Sequence, residues 1–188
     1  MEYRVIVGQE DVVATGPDGE TYKTAVLVQG QAHIKSRNGT TEYHVHFEQS
    51  SNKIQIKKVL TDSLMSSSDY LNLSLAGVED GQGYADRGTF DVEGSAMPLR
   101  CSVDTRTFGC PLAIESGGEE IAVAKKCNMF GGSYDLQFLK AVSPEEPMSV
   151  QTKPDYGETP KEHYAIVREE AVLIALAFAW RDVLSHMK

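Results

Sequence analysis

Ala171-Val172-Leu173-Ile174-Ala175-Leu176-Ala177-Phe178-Ala179-Trp180 is a run of ten residues without one polar side chain. A surface helix keeps a polar stripe toward water; a helix that is apolar on every side must be surrounded. The run is too short to cross a bilayer, which takes about 20 apolar residues. Glu169, Glu170, Arg181 and Asp182 close it off at its two ends. The start of the helix is marked in sequence. Thr159 suits the N-cap, Pro160 the first helical position, and Glu162 completes a capping box with Thr159. The helix is expected over about 160–187, roughly 40 Å long at ~1.5 Å per residue. His163, Arg168 and Glu169 give its first turns a mixed, partly solvated character, and its second half is buried.

Everything before Thr159 reads as short strands between turns. Val5–Val13 is strand-like, Gly16-Pro17-Asp18-Gly19 is a turn, and Tyr22–Val28 is rich in β-formers. Asn38-Gly39 is a strong hairpin signal. Leu112-Ala113-Ile114 and Ile121-Ala122-Val123 flank Ser116-Gly117-Gly118 as a second hairpin. Tyr134–Val142 is strand-like. Ser66-Ser67-Ser68 reads as a surface turn, and Asp80–Gly83 and Ser143–Pro147 as loops. One helix on one face of an open sheet would stay polar on its outer side. Burial on every side calls instead for a sheet that curls round the helix. The fold expected is mainly β with one long C-terminal helix: a closed antiparallel β-barrel of roughly 10–12 strands enclosing an apolar central helix, one domain over 1–188.

In this order of elements the chain resembles the Tubby C-terminal-like superfamily, and in size its LURP-one-related and phospholipid-scramblase branches. The resembling stretch runs from about Gly94 to Lys188. It comprises Met97-Pro98-Leu99-Arg100-Cys101-Ser102, then Ile121-Ala122-Val123-Ala124-Lys125-Lys126, then Tyr134-Asp135-Leu136-Gln137-Phe138, then Ala171–Trp180. The first ninety residues match only as many strands. An acidic calcium-loop run is not evident between Phe130 and Gln137, so scramblase activity is not implied. What the resemblance implies is a barrel with a central helix and a binding role, with phosphoinositide or membrane tethering as its family form.

One constellation has metal-binding chemistry. If Asn38-Gly39 is a two-residue turn, residues whose numbers sum to 77 face each other. Ile34 then opposes Tyr43 and Ala32 opposes Val45 on the core side. Lys35 opposes Glu42, His33 opposes His44 and Gln31 opposes His46 on the other. Three of the five histidines are gathered there. With opposed Cβ atoms ~5 Å apart, His33, His44 and His46 can make a three-nitrogen zinc site with an open position. Glu42 and Glu48 share the face as supporting groups. The plain alternative is a set of solvated strand histidines.

A net charge of -9 works against nucleic acid as a partner, since phosphate binding needs a basic surface. Lys53, Lys57 and Lys58 are the one local basic cluster and the candidate anionic-ligand residues, or else a solvated strand edge. Met1–Val7 holds no long apolar stretch, and three cysteines at irregular spacing do not make a disulfide framework. A cytoplasmic location is therefore expected, with Asn38 and Asn72 as chance sequons and Cys101, Cys110 and Cys127 as free thiols. No GxSxG, Walker A, HExxH or strand-linked GxGxxG pattern occurs.

The leading expectation is thus a non-enzymatic cytoplasmic binding or scaffold module with a protein or lipid partner, neither transmembrane nor nucleic-acid binding. The alternatives are a metal-binding protein or small metal-dependent enzyme on the histidine cluster, and a helix-grip carrier of a small ligand.

Overall fold

The structure is a computed structural model that describes residues 2–8, 11–26, 31–36, 41–48, 50–60, 67–77, 87–104, 112–126, 133–139 and 160–186, with side chains in the helix described for 165–179. The first six strands are β1 (Glu2–Val7), β2 (Val12–Thr15), β3 (Thr21–Val26), β4 (Gln31–Ser36), β5 (Thr41–Glu48) and β6 (Lys53–Leu60). The next six are β7 (Ser67–Gly77), β8 (Arg87–Glu93), β9 (Leu99–Asp104), β10 (Leu112–Ser116), β11 (Glu119–Lys126) and β12 (Ser133–Phe138), followed by α1 (Pro160–His186). Each strand pairs antiparallel with its neighbour in sequence, and β1 closes on β12 to make a twelve-stranded barrel. Closure removes the free edges that an open sheet would expose.

Alternation along the strands sets the core. Tyr3 and Val5 point inward from β1 while Glu2 and Arg4 point outward; Ala32 and Ile34 do the same against Gln31 and Lys35 on β4. A one-residue slip would turn each of these sets inside out, so burial pins the register. The Asn38-Gly39 turn lies outside the described residues, but its consequence is observed: His33 faces His44, Gln31 faces His46, and Lys35 faces Glu42. The second expected hairpin is also found, with Gly117 and Gly118 at φ 61° and 87° between β10 and β11. Such left-handed backbone at both turn positions is what a two-residue hairpin needs.

Two local expectations are corrected. Val5–Val13 is not one strand. The chain reverses where the Gly8 amide donates to the Asp11 carbonyl at 2.7 Å, so that Val7 pairs with Val12. The available sequence signal was the polar stretch Gly8-Gln9-Glu10-Asp11 between Val5-Ile6-Val7 and Val12-Val13, which the strand reading passed over. Ser67 and Ser68 do not form a turn; they open β7 and pair with Val59 and Lys58. The expected loops at Asp80–Gly83 and Ser143–Pro147, Cys110, Cys127 and the Trp180 side chain lie outside the described residues.

Helix α1 begins at Pro160, as its capping signals imply. From Glu170 to Ala179 no residue is more than 7 % exposed. Its nearest strands by backbone are β1, β2 and β12. Its side chains also reach further round the barrel: Phe178 meets Phe90 of β8 edge-on at 5.1 Å, and Glu169 meets Tyr43 of β5. Helix and strand side chains join in a single apolar cluster.

Candidate functional site

Two polar constellations stand out from this apolar frame. One lies on the outer face of β4 and β5, where the sequence placed it. The other lies at the barrel end where the odd-numbered strands begin, and sequence reasoning did not find it.

On the outer face, His33 and His44 are directly opposed, and their imidazoles stack with centroids 4.0 Å apart and planes 12° from parallel. Glu42 sits diagonally beside them. One of its oxygens, Oε1, lies 2.5 Å from His33 Nδ1 and 3.5 Å from His44 Nε2. Its other oxygen is 4.0 Å from Lys35 Nζ. Buried Ile34 and Tyr43 fix the strands from the inside, so the outward side chains share a rigid base. The side chains of His33 and Glu42 are 22 % and 23 % exposed, against 41 % for His44, because each covers the next. The His33 imidazolium is disfavoured, first by partial burial and then by His44 beside it; Glu42 acts in the opposite sense.

His46 does not join this group. It is the next outward position along β5, exposed, and faces Gln31 on one side and Gln55 on the other. Among the described residues, the group of ligand-type atoms lying within 4.8 Å of one another is His33, Glu42 and His44. The carboxylate therefore takes the place expected of the third histidine, because the diagonal of an antiparallel pair brings Glu42 across to His33.

The three lysines do not form one patch. Lys53 and Lys57 point outward, Lys53 opposite Glu48 and Lys57 3.7 Å from Asp69. Lys58 is opposite buried Tyr43 and turns to the inner side, with its ammonium 5.9 Å and 5.5 Å from the ring centroids of Tyr43 and Tyr70. Strand alternation separates neighbours in sequence onto opposite faces, and a cation over two aromatic rings is held there by their electron-rich faces.

The second constellation is built from tyrosines near the starts of β1, β3, β5 and β7. The hydroxyls of Tyr3 and Tyr22 both donate to the Glu20 carboxylate, at 2.8 and 2.9 Å. Tyr43 donates to Glu169 of α1 at 2.5 Å. Tyr70 packs against Tyr43 with ring centroids 5.5 Å apart. All four phenols are held protonated well above their usual range, first by burial and then by nearby carboxylates: Glu20 for Tyr3, Glu169 and Glu20 for Tyr22, Glu169 for Tyr43, Glu170 and Glu169 for Tyr70. Beside them Glu170, 1 % exposed, accepts from the Ser95 hydroxyl at 2.5 Å and the Ala96 amide at 3.1 Å. Gly94 makes that approach possible. Its φ is +89°, and a Cβ there would stand 2.3 Å from the Tyr70 carbonyl oxygen.

These contacts tie the entry turns of α1 to β5 and to the segment after β8. Their partners are already satisfied by one another, which is the arrangement of a structural lock. The available sequence signal was the recurrence of tyrosine near the start of alternate strands, but nothing local said that those strands would share a barrel end.

Cys101 is a free, buried thiol, pushed up to about 12 by burial. At that value it is neither a nucleophile nor a ready metal ligand. No helix is long and apolar enough to cross a membrane, among the described residues. Comparison with family models, with curated proteins and with solved structures finds no match to this chain.

Proposed function

We propose that this chain is a non-enzymatic binding or scaffold module of Tubby-like type, with its barrel closed around α1 and its recognition surface on the outer face and rims. The observation that carries this reading is the all-round burial of residues 170–179 beside a closed twelve-stranded sheet. On this reading α1 fills the barrel, and a partner is met from outside. The same burial speaks against a helix-grip carrier, whose helix covers a cavity with one face and keeps the other wet. The outward positions Glu2, Arg4, Lys23, Lys35, Glu48, Lys53, Asp69 and Arg100 are exposed and charged. That is opposite to the apolar band of a lipid-facing barrel and suits a protein working in the cytoplasm.

The family form of the reading is tethering to phosphoinositide. Lys53 and Lys57 support it from the outer face, whereas Lys58 is engaged on the inner side. Flotation with phosphatidylcholine vesicles, with and without added phosphoinositide, at low salt tests it. Recovery with the phosphoinositide vesicles alone, reversed by salt, is the expected result for tethering. No recovery at low salt removes the membrane form and leaves a protein partner as the object of binding.

A further inference from the structure

We infer that His33, Glu42 and His44 form a binding site for a divalent transition-metal ion of the zinc class on the outer face of β4 and β5. Ligands at ~2.0–2.1 Å around one tetrahedral ion stand roughly 3.3 Å from each other. The Glu42 Oε1 oxygen lies 2.5 Å from one imidazole nitrogen and 3.5 Å from the other, and all three atoms fall within 4.8 Å. The two imidazoles are stacked with planes 12° from parallel, so they must turn about their side-chain bonds for both lone pairs to meet at one ion.

The strand framework that carries the three ligands is already fixed. The two histidines come from directly opposed positions of neighbouring strands, and buried Ile34, Tyr43, Ala32 and Val45 hold those strands in register from the inside. A site on rigid strands loses little order on binding. Two imidazoles and one carboxylate are borderline and hard donors, which suit zinc, and copper or nickel in proportion to their intrinsic affinity, better than magnesium or calcium. Three protein ligands leave at least one position open to water or to a donor from a partner. Lys35 approaches the other Glu42 oxygen and Lys57 is paired with Asp69, so each nearby ammonium has an acceptor other than the ligand atom Oε1.

The test is isothermal titration of untagged protein with zinc chloride at about pH 7.5, with magnesium chloride as the control salt. Wild type should bind one equivalent of zinc and none of magnesium. His33→Gln/His44→Gln should lose zinc binding by more than the ~10–100-fold that removal of an outer partner costs, and Glu42→Gln should weaken it in the same direction. His46→Gln should bind as wild type does. Far-UV circular dichroism, unchanged in all variants, shows that the barrel is intact. Absence of stoichiometric zinc binding by wild type overturns the inference. So does a His46→Gln variant that loses as much affinity as the double variant, because the ligand set would then be a different one.

Discussion

The Tyr43 hydroxyl donates to the Glu169 carboxylate across 126 residues of chain, joining the start of β5 to the entry turns of the C-terminal helix. Tyr43 is itself fully buried and carries Lys58 over its ring. One side chain thus links the sheet, the helix and an inward-facing cation.

Tyr43→Phe keeps the ring and removes only this bond. A hydrogen bond to a charged acceptor is worth about 1.5–3 kcal/mol, and partial exposure of Glu169 puts this one at the lower end. For a chain of this size about 1 kcal/mol moves Tm by ~2–4 °C. The expected fall is roughly 3–6 °C by circular dichroism, and an unchanged Tm would mean that the bond does not anchor the helix.

Leu176→Asp should abolish folding. Leu176 is fully buried in a segment with no solvated side. An unpaired carboxylate there costs several kcal/mol beyond the lost apolar burial, against a total stability of ~5–15 kcal/mol. A soluble Leu176→Asp protein that melts cooperatively near the wild-type temperature is the contrary outcome.

Glu170→Gln should make stability less dependent on pH. The Glu170 carboxyl is raised above the usual range by burial, with the bonds from Ser95 and Ala96 opposing and the charge of Glu169 adding. A carboxyl raised in the folded state contributes stability that is fully present below its unfolded pKa, ~4.3, and is lost as pH rises through the folded value. Wild type therefore loses this contribution on going from acid to neutral pH, and the amide does not. Denaturant melts at about pH 4.5 and pH 8 should show Glu170→Gln gaining on wild type at the higher pH. An equal difference at both values would show that ionisation of Glu170 has no part in stability.

Gly94→Ala should be far worse than Gly118→Ala, although their φ angles are nearly the same, +89° and +87°. The strained backbone alone costs of order 1–3 kcal/mol. At Gly118 nothing lies within 4 Å of the new methyl group, whereas at Gly94 it would stand 2.3 Å from a backbone oxygen that cannot swing away. Gly94→Ala also displaces Ser95 and Ala96 from Glu170. Comparable Tm losses for the two variants would contradict this account.

Composition and periodicity alone determined a good deal of this protein. The run from Ala171 to Trp180 called for a buried helix, and residues 171–179 are buried; the helix start at Pro160 followed from Thr159 and Pro160 themselves. The sum rule about Asn38-Gly39 placed His33 against His44, because a two-residue turn leaves only one register and the core face allows no slip. These are properties of neighbouring residues, and neighbours are legible in a sequence. The rest depended on contacts between distant strands. Closure of β1 on β12 pairs Arg4 with Asp135, and no local pattern specifies that pairing. The tyrosines of β1, β3, β5 and β7 share a barrel end only because alternate strands of an antiparallel meander run the same way. Glu42, not His46, completes the histidine group because side-chain reach along a sheet diagonal is set in space. The reversal between Gly8 and Asp11 had a signal in its polar stretch of four residues, but only the hydrogen bond from the Gly8 amide to the Asp11 carbonyl decides where one strand ends and the next begins.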